Sequence, residues 1–341
     1  MLSLTFVLLL LVVVISSAML TGIVRRYALS KNILDQPNAR SSHTAPTPRG
    51  GGVAIVIAFL GAVVVLGPSL SAATQLALLV GGCGVAAIGF IDDHGHIPAR
   101  WRLSAHFLSA IWIVYWLGTP SLEWMGRSID LGYLGAVLAV LYLVWMLNLY
   151  NFMDGIDGIA GMEAVIVGAA GAIFYWVNGS LDGSWELPAL LAAASLGFVV
   201  WNFPPAKIFM GDAGSGFLGV MLGAFSLQAA VVQPILLWSW LVLMGVFIVD
   251  ATTTLLRRLI CGARVYEAHR SHAYQNASRA IGNHLPVTLA VAGINLMWLL
   301  PWALAIAAGK VSGVIGLLCA YTPLLILAFR YQAGLPEEAK V

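Results

Sequence analysis

The sequence predicts an all-α fold, a polytopic bundle of helices that spans a membrane, and three observations support this class. Of the 341 residues, 60% are hydrophobic and only 9% are charged, whereas soluble domains carry about 25% charged residues. Apolar runs long enough to cross about 30 Å of hydrocarbon recur along the whole chain. Little polar sequence remains between these runs, so we expect one integral membrane domain over residues 1–341.

Eleven apolar segments are predicted to form transmembrane helices, with ends that are soft by a few residues. They cover residues 3–22, 51–67, 73–91, 104–118, 132–150, 160–177, 187–203, 214–230, 236–256, 286–308 and 312–330. The first segment resembles the apolar core of a signal peptide, but no Lys or Arg precedes it, and Arg25 and Arg26 follow it. This order of charges favours a retained first helix.

The positive charges predict the orientation of these segments. All but two of the 17 Lys and Arg residues lie after odd-numbered segments or in the C-terminal tail, the exceptions being Arg127 and Lys310. By the positive-inside rule, the N-terminus is then periplasmic and the C-terminus cytoplasmic. The net charge of +2 is too small to indicate a nucleic-acid partner.

Acidic residues gather on the predicted inner face, at the ends of three odd-numbered segments. They are Asp92, Asp93, Asp154, Asp157 and Asp212. Carboxylate oxygens are the ligands that Mg²⁺ selects, and clustered carboxylates repel one another unless a cation lies between them. A bound divalent ion could also hold a pyrophosphate. The alternative is a set of solvated loop carboxylates.

A glycine-rich turn, GDAGSG, precedes and opens the eighth segment. Free N–H groups and the positive end of the helix dipole suit a phosphate at such a helix start. The alternative is a plain helix cap formed by Ser215 or Asp212, and both interpretations can hold together.

The last long inner loop contains AHRSHAYQ, which places His269, Arg270 and His272 within four residues. Arg recognises phosphate oxygens through paired hydrogen bonds, so we expect contact with an anion. Zinc is a weaker alternative because no further ligand is near in sequence, and a polar loop without function also stays open. Asp250 is expected to have a structural role in an ion pair with Arg257 or Arg258.

The first inner loop reads DQPNARSSHTAPTPRGGG. Its Pro, Ser and Gly residues predict an ordered or lid-like connector that carries Asp35, Arg40, His43 and Arg49. A charged anchor loop is the alternative. The two His residues near the Asp pair, His94 and His96, are weaker candidates for metal ligands.

These motifs, in this order, resemble the polyprenyl-phosphate N-acetylhexosamine-1-phosphate transferases of glycosyltransferase family 4. The resemblance covers about residues 35–276 and includes DxPxxRxxHxxPTPRGGG, DD, NFMDGIDG, KIFMGDAGS and AHRSHAYQ. Within the family, the chain is most similar to bacterial enzymes that initiate O-antigen synthesis. It departs from the peptidoglycan branch, which has a triple histidine in place of AHRSHAYQ and a Lys where this chain has Thr44 and Ala45.

The resemblance implies a role for each group of residues. Asp212 and Asn151 would ligate Mg²⁺, with Mn²⁺ as an alternative. Asp92 and Asp93 would lie beside the carrier phosphate. The remaining groups would orient the nucleotide (Asp154, Asp157), surround the uracil (Asn202, Phe209) and hold the pyrophosphate or sugar (His269, Arg270, His272).

The expected reaction moves an N-acetylaminosugar 1-phosphate from a UDP-sugar to undecaprenyl phosphate in the bacterial inner membrane, with release of UMP on the cytoplasmic face. The donors implied are UDP-linked GlcNAc, fucosamine or quinovosamine derivatives, for lipopolysaccharide. Whether an Asp acts as base or as covalent nucleophile stays open, although single displacement is favoured. The alternatives are another cell-wall or capsule glycan, or a transporter of an anionic lipid, which the one-sided acids and lack of repeats disfavour. Homodimerisation is left open.

Overall fold

The apolar runs fold into α-helices because a helix satisfies every backbone N–H and C=O group inside hydrocarbon. The computed structural model describes residues 3–36, 46–95, 97–180, 184–263 and 269–335. The helices are α1 (Leu4–Ser30), α2 (Val53–Leu66), α3 (Ala72–His94), α4 (Ala99–Leu117), α5 (Gly132–Met153), α6 (Ile159–Asn178), α7 (Glu186–Asn202), α8 (Asp212–Val232), α9 (Leu236–Leu243), α10 (Gly245–Ile260), α11 (Ala273–Ile281), α12 (His284–Ala307) and α13 (Gly313–Arg330).

The helical membrane class is confirmed. In the described part of the chain, seven helices are long and apolar enough to cross a bilayer, and α9 with α10 would make an eighth if the bent pair is one span. Two further helices, α2 and α7, are apolar but have only 14 and 17 residues. The count of eleven spans and the orientation stay predictions.

The ninth predicted segment, residues 236–256, is wrong as a single helix. α9 and α10 meet at an angle of 70°. At the break, the Tyr321 hydroxyl donates to the Leu241 carbonyl over 2.6 Å. A helix can break inside a membrane protein where a neighbouring side chain satisfies the released carbonyl, and Tyr321 on α13 does so here.

Three helices, α1, α4 and α10, extend beyond their predicted ends and include basic residues there. α1 continues to Ser30, so Arg25 and Arg26 are helical, and α4 begins at Ala99, so Arg102 lies in its first turn. Long basic side chains reach water from a helix end, so such ends extend past the apolar run.

Short elements lie between the helices. Two antiparallel hairpins pair Leu34–Asp35 with Thr47–Pro48 and Leu122–Trp124 with Arg127–Ile129. The long inner loop contains α11, which the apolar pattern did not predict because only one face of this short helix is apolar and buried.

Burial places α8 at the centre of the bundle and α1 at its edge. Over their most apolar stretches, 83% of α8 and only 17% of α1 are buried. Glycines let the neighbouring helices approach α8. A Cβ at Gly52 would lie 2.4 Å from Gly214 Cα, so α2 and α8 are in backbone contact there. This packing fixes the start of α8 and therefore Asp212.

One buried polar pair lies inside the bundle, where α6 faces α12. Asn295 donates to the Glu163 carboxyl group, and both side chains are almost fully buried. Asn295 begins a π-helical turn within α12. A π turn in an α-helix redirects side chains locally, and this one lies where Asn295 meets the carboxyl group.

Candidate active site

A cavity of about 510 Å³ opens where α3, α4, α5, α8 and α11 meet. We call this end of the bundle the site end. The polar side chains in the cavity wall include Arg102, His106, Asn148, Asn151, Asp154, Asp212, His269, His272, Tyr274 and Gln275. Apolar residues of α3, α4 and α5, such as Val85, Leu103 and Leu147, form another part of the wall. The cavity is therefore polar in one part and apolar in another.

Asp212 is the first residue of α8 and points into this cavity. Its Oδ1 atom accepts from Asn151 Nδ2 over 3.0 Å, and the same nitrogen lies 2.9 Å from Ser215 Oγ. Arg102 approaches Asp212 Oδ2 at 3.4 Å. The structure thus brings Asp212 and Asn151 together, as the predicted metal site requires.

Asp93 has different surroundings, because its side chain is only 1% exposed. Its carboxylate accepts from the backbone N–H groups of Asp212 and Ala213, at 3.0 and 3.2 Å, and from Arg49. Asp93 therefore caps α8 from another helix, and the alternative of a cap formed by Ser215 or Asp212 is wrong. Gly211 makes this approach possible, since a Cβ there would lie 2.6 Å from Asp93 Oδ2.

Arg49 completes this buried contact from the first inner loop. Burial disfavours the guanidinium charge, but the neighbouring carboxylates Asp93, Asp212 and Asp35 outweigh that effect and raise the pKa of Arg49 above its ordinary value. The Pro-Arg-Gly-Gly-Gly segment therefore acts as an ordered connector. Arg40, His43 and His96 lie outside the described residues.

Asp92 lies beside the cavity and is joined to it by Arg102. Its Oδ1 atom accepts from the Ile97 N–H over 2.8 Å, and its Oδ2 atom forms an ion pair with Arg102. The Asp92 and Asp212 carboxyl groups are also close enough to affect each other. Arg102 thus bridges two carboxylates at the cavity.

From the sequence alone, Arg102 is only one of the positive charges that predict the orientation. The signal that could have found it is the position of Arg102 just after the Asp pair, at the start of α4. A helix start at residue 104 was predicted instead, which left Arg102 in a loop.

The two Asp residues of the loop between α5 and α6 separate. Asp154 lies in the cavity wall, where burial together with Asp212, Asp93 and Asp157 raises its pKa well above the ordinary value. Asp157 lies outside the cavity wall. Its carboxylate accepts from the Ala206 N–H over 3.0 Å and lies 3.1 Å from His284 Nδ1.

Asn202 and Phe209, like Asp157, lie outside the cavity wall. The Asn202 side chain accepts from the Gly158 N–H over 3.0 Å and donates to the Ile208 carbonyl over 2.9 Å. The Phe209 N–H donates to the Pro48 carbonyl over 2.8 Å. These bonds hold the loops before α6 and α8 together, and the predicted contact with a uracil stays a prediction.

The His residues of the last long loop line the cavity, but Arg270 does not. The rings of His269 and His272 stack with centroids 5.0 Å apart. Burial, together with His272 and Arg258, lowers the pKa of His269 to about 3, so this imidazole is neutral near pH 7. His269 therefore offers hydrogen bonds, not charge, to a ligand.

Asp250 holds His272 and the start of α11. It accepts from the backbone N–H groups of Ala273 and Tyr274, both over 2.9 Å, and lies 3.3 Å from His272 Nδ1. The structural role predicted for Asp250 is present, but the predicted pairing with Arg257 is wrong, because Arg257 donates to the Ala333 carbonyl instead. Among the described residues, Asp250 bonds to Thr254, His272, Ala273 and Tyr274, so the predicted pairing with Arg258 is also wrong.

The oxygen atoms at the cavity suit a hard cation by type. Asp92 and Asp212 are close enough to affect each other, and the Asp212 charge also acts on Asp154. Such crowding of carboxylates favours a bound cation. An amide can turn its oxygen towards a metal, since its O and N are assigned by their hydrogen bonds, so Asn151 could join Asp212. Among the described residues, no three His, Cys, Asp or Glu side chains are grouped closely enough to form a ready metal site.

The chain matches a known protein family over much of the region that forms the cavity. Residues 75–230 match the family model described as Glycosyl transferase family 4. The chain is 31% identical over 263 residues to a probable undecaprenyl-phosphate N-acetylglucosaminyl 1-phosphate transferase of Bacillus subtilis, covering 75% of this chain and 72% of the relative.

Two further relatives widen this comparison. A decaprenyl-phosphate N-acetylglucosaminephosphotransferase of Mycobacterium tuberculosis is 30% identical over 310 residues, covering 80% of this chain and 75% of the relative. A phospho-N-acetylmuramoyl-pentapeptide-transferase of Geobacillus kaustophilus is 28% identical over 267 residues, covering 72% and 79%. All three names describe phosphotransferases.

Proposed function

Because the chain belongs to glycosyl transferase family 4, we propose that it transfers an N-acetylaminosugar 1-phosphate from a UDP-sugar to undecaprenyl phosphate and releases UMP. The observation that carries the proposal is the cavity in which Asp212, Asn151 and Arg102 meet beside an apolar wall. A lipid phosphate needs both an apolar wall and charged groups at its head. The names of the relatives support N-acetylglucosamine as the first donor to test.

The reaction needs positioning and charge stabilisation more than covalent chemistry. An oxygen of the carrier phosphate attacks the β-phosphorus of the UDP-sugar, a new P–O bond forms, and the bond to UMP breaks. A phosphate monoester with a second pKa of about 6 is already mostly deprotonated near pH 7. Arg102, His269 and His272 line the cavity. There Arg102 would stabilise negative charge, and the two His side chains would donate hydrogen bonds to it.

Mg²⁺ fits the oxygen atoms described above. Asp212 and Asn151 would hold it, with Asp92 adjacent, and it would neutralise charge on the diphosphate. All other roles in the proposed reaction belong to side chains of the protein.

The surroundings of Asp93 favour single displacement. Both of its oxygens are bound by the α8 backbone and one also by Arg49, so Asp93 has no free oxygen for attack on phosphorus. Asp92 is the remaining candidate nucleophile of the pair. A phosphorylated Asp92 that forms and decays as fast as turnover would overturn single displacement.

The finer parts of the proposal concern place and pathway. The site end faces the cytoplasm by the charge distribution, in a bacterial inner membrane, and the product begins an O-antigen of lipopolysaccharide. The resemblance of the ordered motifs to O-antigen-initiating enzymes supports this choice. The AHRSHAYQ segment, in place of the triple histidine of the peptidoglycan branch, argues against a muramoyl-pentapeptide substrate.

The test is UMP release by the purified chain with undecaprenyl phosphate, Mg²⁺ and a panel of UDP-N-acetylaminosugars. We expect release to require the lipid, to stop with EDTA, and to fall at least about a hundredfold in Asp212→Asn. Asp130→Asn is the matched control, because Asp130 is exposed and lies outside the cavity wall. Lipid-independent UMP release, or full activity in Asp212→Asn, would contradict the proposal.

A further inference from the structure

A second charged site lies at the site end, on the outer surface between α1 and α7. Trp201 packs its ring on α1 at Gly22, and its Nε1 donates to the Ala18 carbonyl over 2.9 Å. Two cations approach this one ring. The Arg25 guanidinium is 6.0 Å and the Lys207 ammonium 5.7 Å from the ring centroid.

The backbone around this ring is fixed on both sides. The Lys207 N–H donates to the Trp201 carbonyl over 2.8 Å, and Arg25 Nε donates to the Lys207 carbonyl over 3.1 Å. Within the described residues, the outer nitrogens of Arg25 and the ammonium of Lys207 form no hydrogen bond. The two cations are therefore held near each other by α1, α7 and the loop after α7.

In the part of the chain that the structure describes, no carboxylate lies at ion-pair distance from either cation. Two like charges on one ring repel each other, and an anion between them would remove that repulsion. The site is thus complementary to a single negative charge.

The surface next to these cations is apolar and faces outwards. On α1, Met19 and Ile23 are 64% and 58% exposed, and on α7 Val200 is 62% exposed. In a membrane protein such a surface contacts acyl chains, and Trp is enriched at the membrane–water interface. Basic pockets between helices at that level bind anionic headgroups.

We propose that Arg25, Lys207 and Trp201 bind the phosphodiester headgroup of an anionic phospholipid, whose acyl chains lie on the exposed faces of α1 and α7. The ligand is a lipid and not free phosphate, because the cations border an apolar surface. This site is separate from the cavity and does not depend on the proposed reaction.

The test is lipid retention by the full-length chain in detergent, measured by native mass spectrometry after addition of phosphatidylglycerol or phosphatidylcholine. We expect wild type to retain phosphatidylglycerol selectively. Arg25→Gln and Lys207→Gln should each lower the affinity roughly fivefold, because one interfacial cation contributes a factor of that order. Arg26→Gln is the matched control, since Arg26 is the exposed neighbour and does not approach the ring.

Further measurements use Arg25→Lys, inorganic phosphate and undecaprenyl phosphate. Arg25→Lys keeps the positive charge. It should therefore retain the lipid if Arg25→Gln loses the lipid through loss of charge and not through misfolding. Inorganic phosphate should not raise the unfolding temperature in an Arg25-dependent way, whereas phosphatidylglycerol should. The proposal is overturned if Arg25→Gln binds phosphatidylglycerol as Arg26→Gln does, if phosphate protects equally, or if undecaprenyl phosphate replaces the phospholipid at this site.

Discussion

Asp93 and Asp212 meet at the start of one helix, yet only Asp212 lines the cavity. Asp93 is buried and accepts from two backbone N–H groups of α8, while Asp212, in the first turn of that helix, points into the cavity. A residue next to the cavity can therefore affect the site by holding another side chain in place, without lining the cavity itself. We assign Asp93 to positioning of Asp212.

This assignment predicts a stability effect for Asp93→Asn. The variant keeps an oxygen for the cap but removes the negative charge that pairs with Arg49, so the free energy of unfolding should fall by about 1–3 kcal/mol. Denaturation in mixed micelles measures it. Asp212→Asn, whose carboxylate is more exposed, is the comparison, and equal stability of both variants with wild type would argue against the cap.

His269 gives a prediction about pH. Its pKa is about 3 in the fold against an ordinary value of 6.5, so between these values the unfolded chain binds a proton that the fold does not. The contribution of His269 to stability is therefore full above pH 6.5 and falls as the pH drops towards 3.

The measurement is the unfolding temperature of His269→Gln and wild type above pH 6.5 and at about pH 4. The variant should lose less stability than wild type on acidification, because Gln takes up no proton. His94→Gln, at an exposed position on α3, is the control. An identical loss in His269→Gln and wild type would show that the imidazole is already solvated in the fold.

At the scale of elements, the contact of α2 with α8 positions the cavity. Gly52→Ala would place a Cβ 2.4 Å from Gly214 Cα, so the two helix starts must separate. We expect a loss of about 1–3 kcal/mol in unfolding free energy and lower UMP release, because Asp212 moves with α8. Gly61→Ala, also on α2, meets nothing within 4 Å and should be neutral or stabilising.

Thermal unfolding and UMP release of the two variants test this contact together. The difference between them matters, because both replace Gly by Ala on or next to the same helix. Equal behaviour of Gly52→Ala and Gly61→Ala would mean that the α2–α8 approach relaxes without effect on the site.

For the whole molecule, burial divides the helices into a protein-facing core around α8 and a lipid-facing edge at α1.

The predicted orientation, with the N-terminus outside, can be tested by labelling in intact cells with a membrane-impermeant maleimide. In a Cys83→Ser, Cys319→Ser background, exposed Cys261 at the end of α10 should react only after permeabilisation. Lys310→Cys, in a chain without other cysteines, should react in intact cells, and the reverse pattern would invert the orientation.

The helical membrane class, the approximate position of most helices and the family follow from the sequence, because apolar runs and ordered motifs are local properties of a chain. The sequence also identified Asp212, Asn151, Asp154, His269 and His272, all of which line the cavity. The Asp residues that follow three different segments do converge at one end of the bundle, since those segments end at the same face.

Which of these side chains faces the cavity depends instead on how the helices pack. Asp92 and Asp93 are adjacent in sequence, but successive residues on a helix point in different directions, so one pairs with Arg102 and the other caps α8. The break between α9 and α10 depends on Tyr321, which is 80 residues away from the carbonyl it satisfies. Partners this far apart in sequence leave no periodic signal. The packing of the helices therefore decides which residues line the cavity and which hold those residues in place.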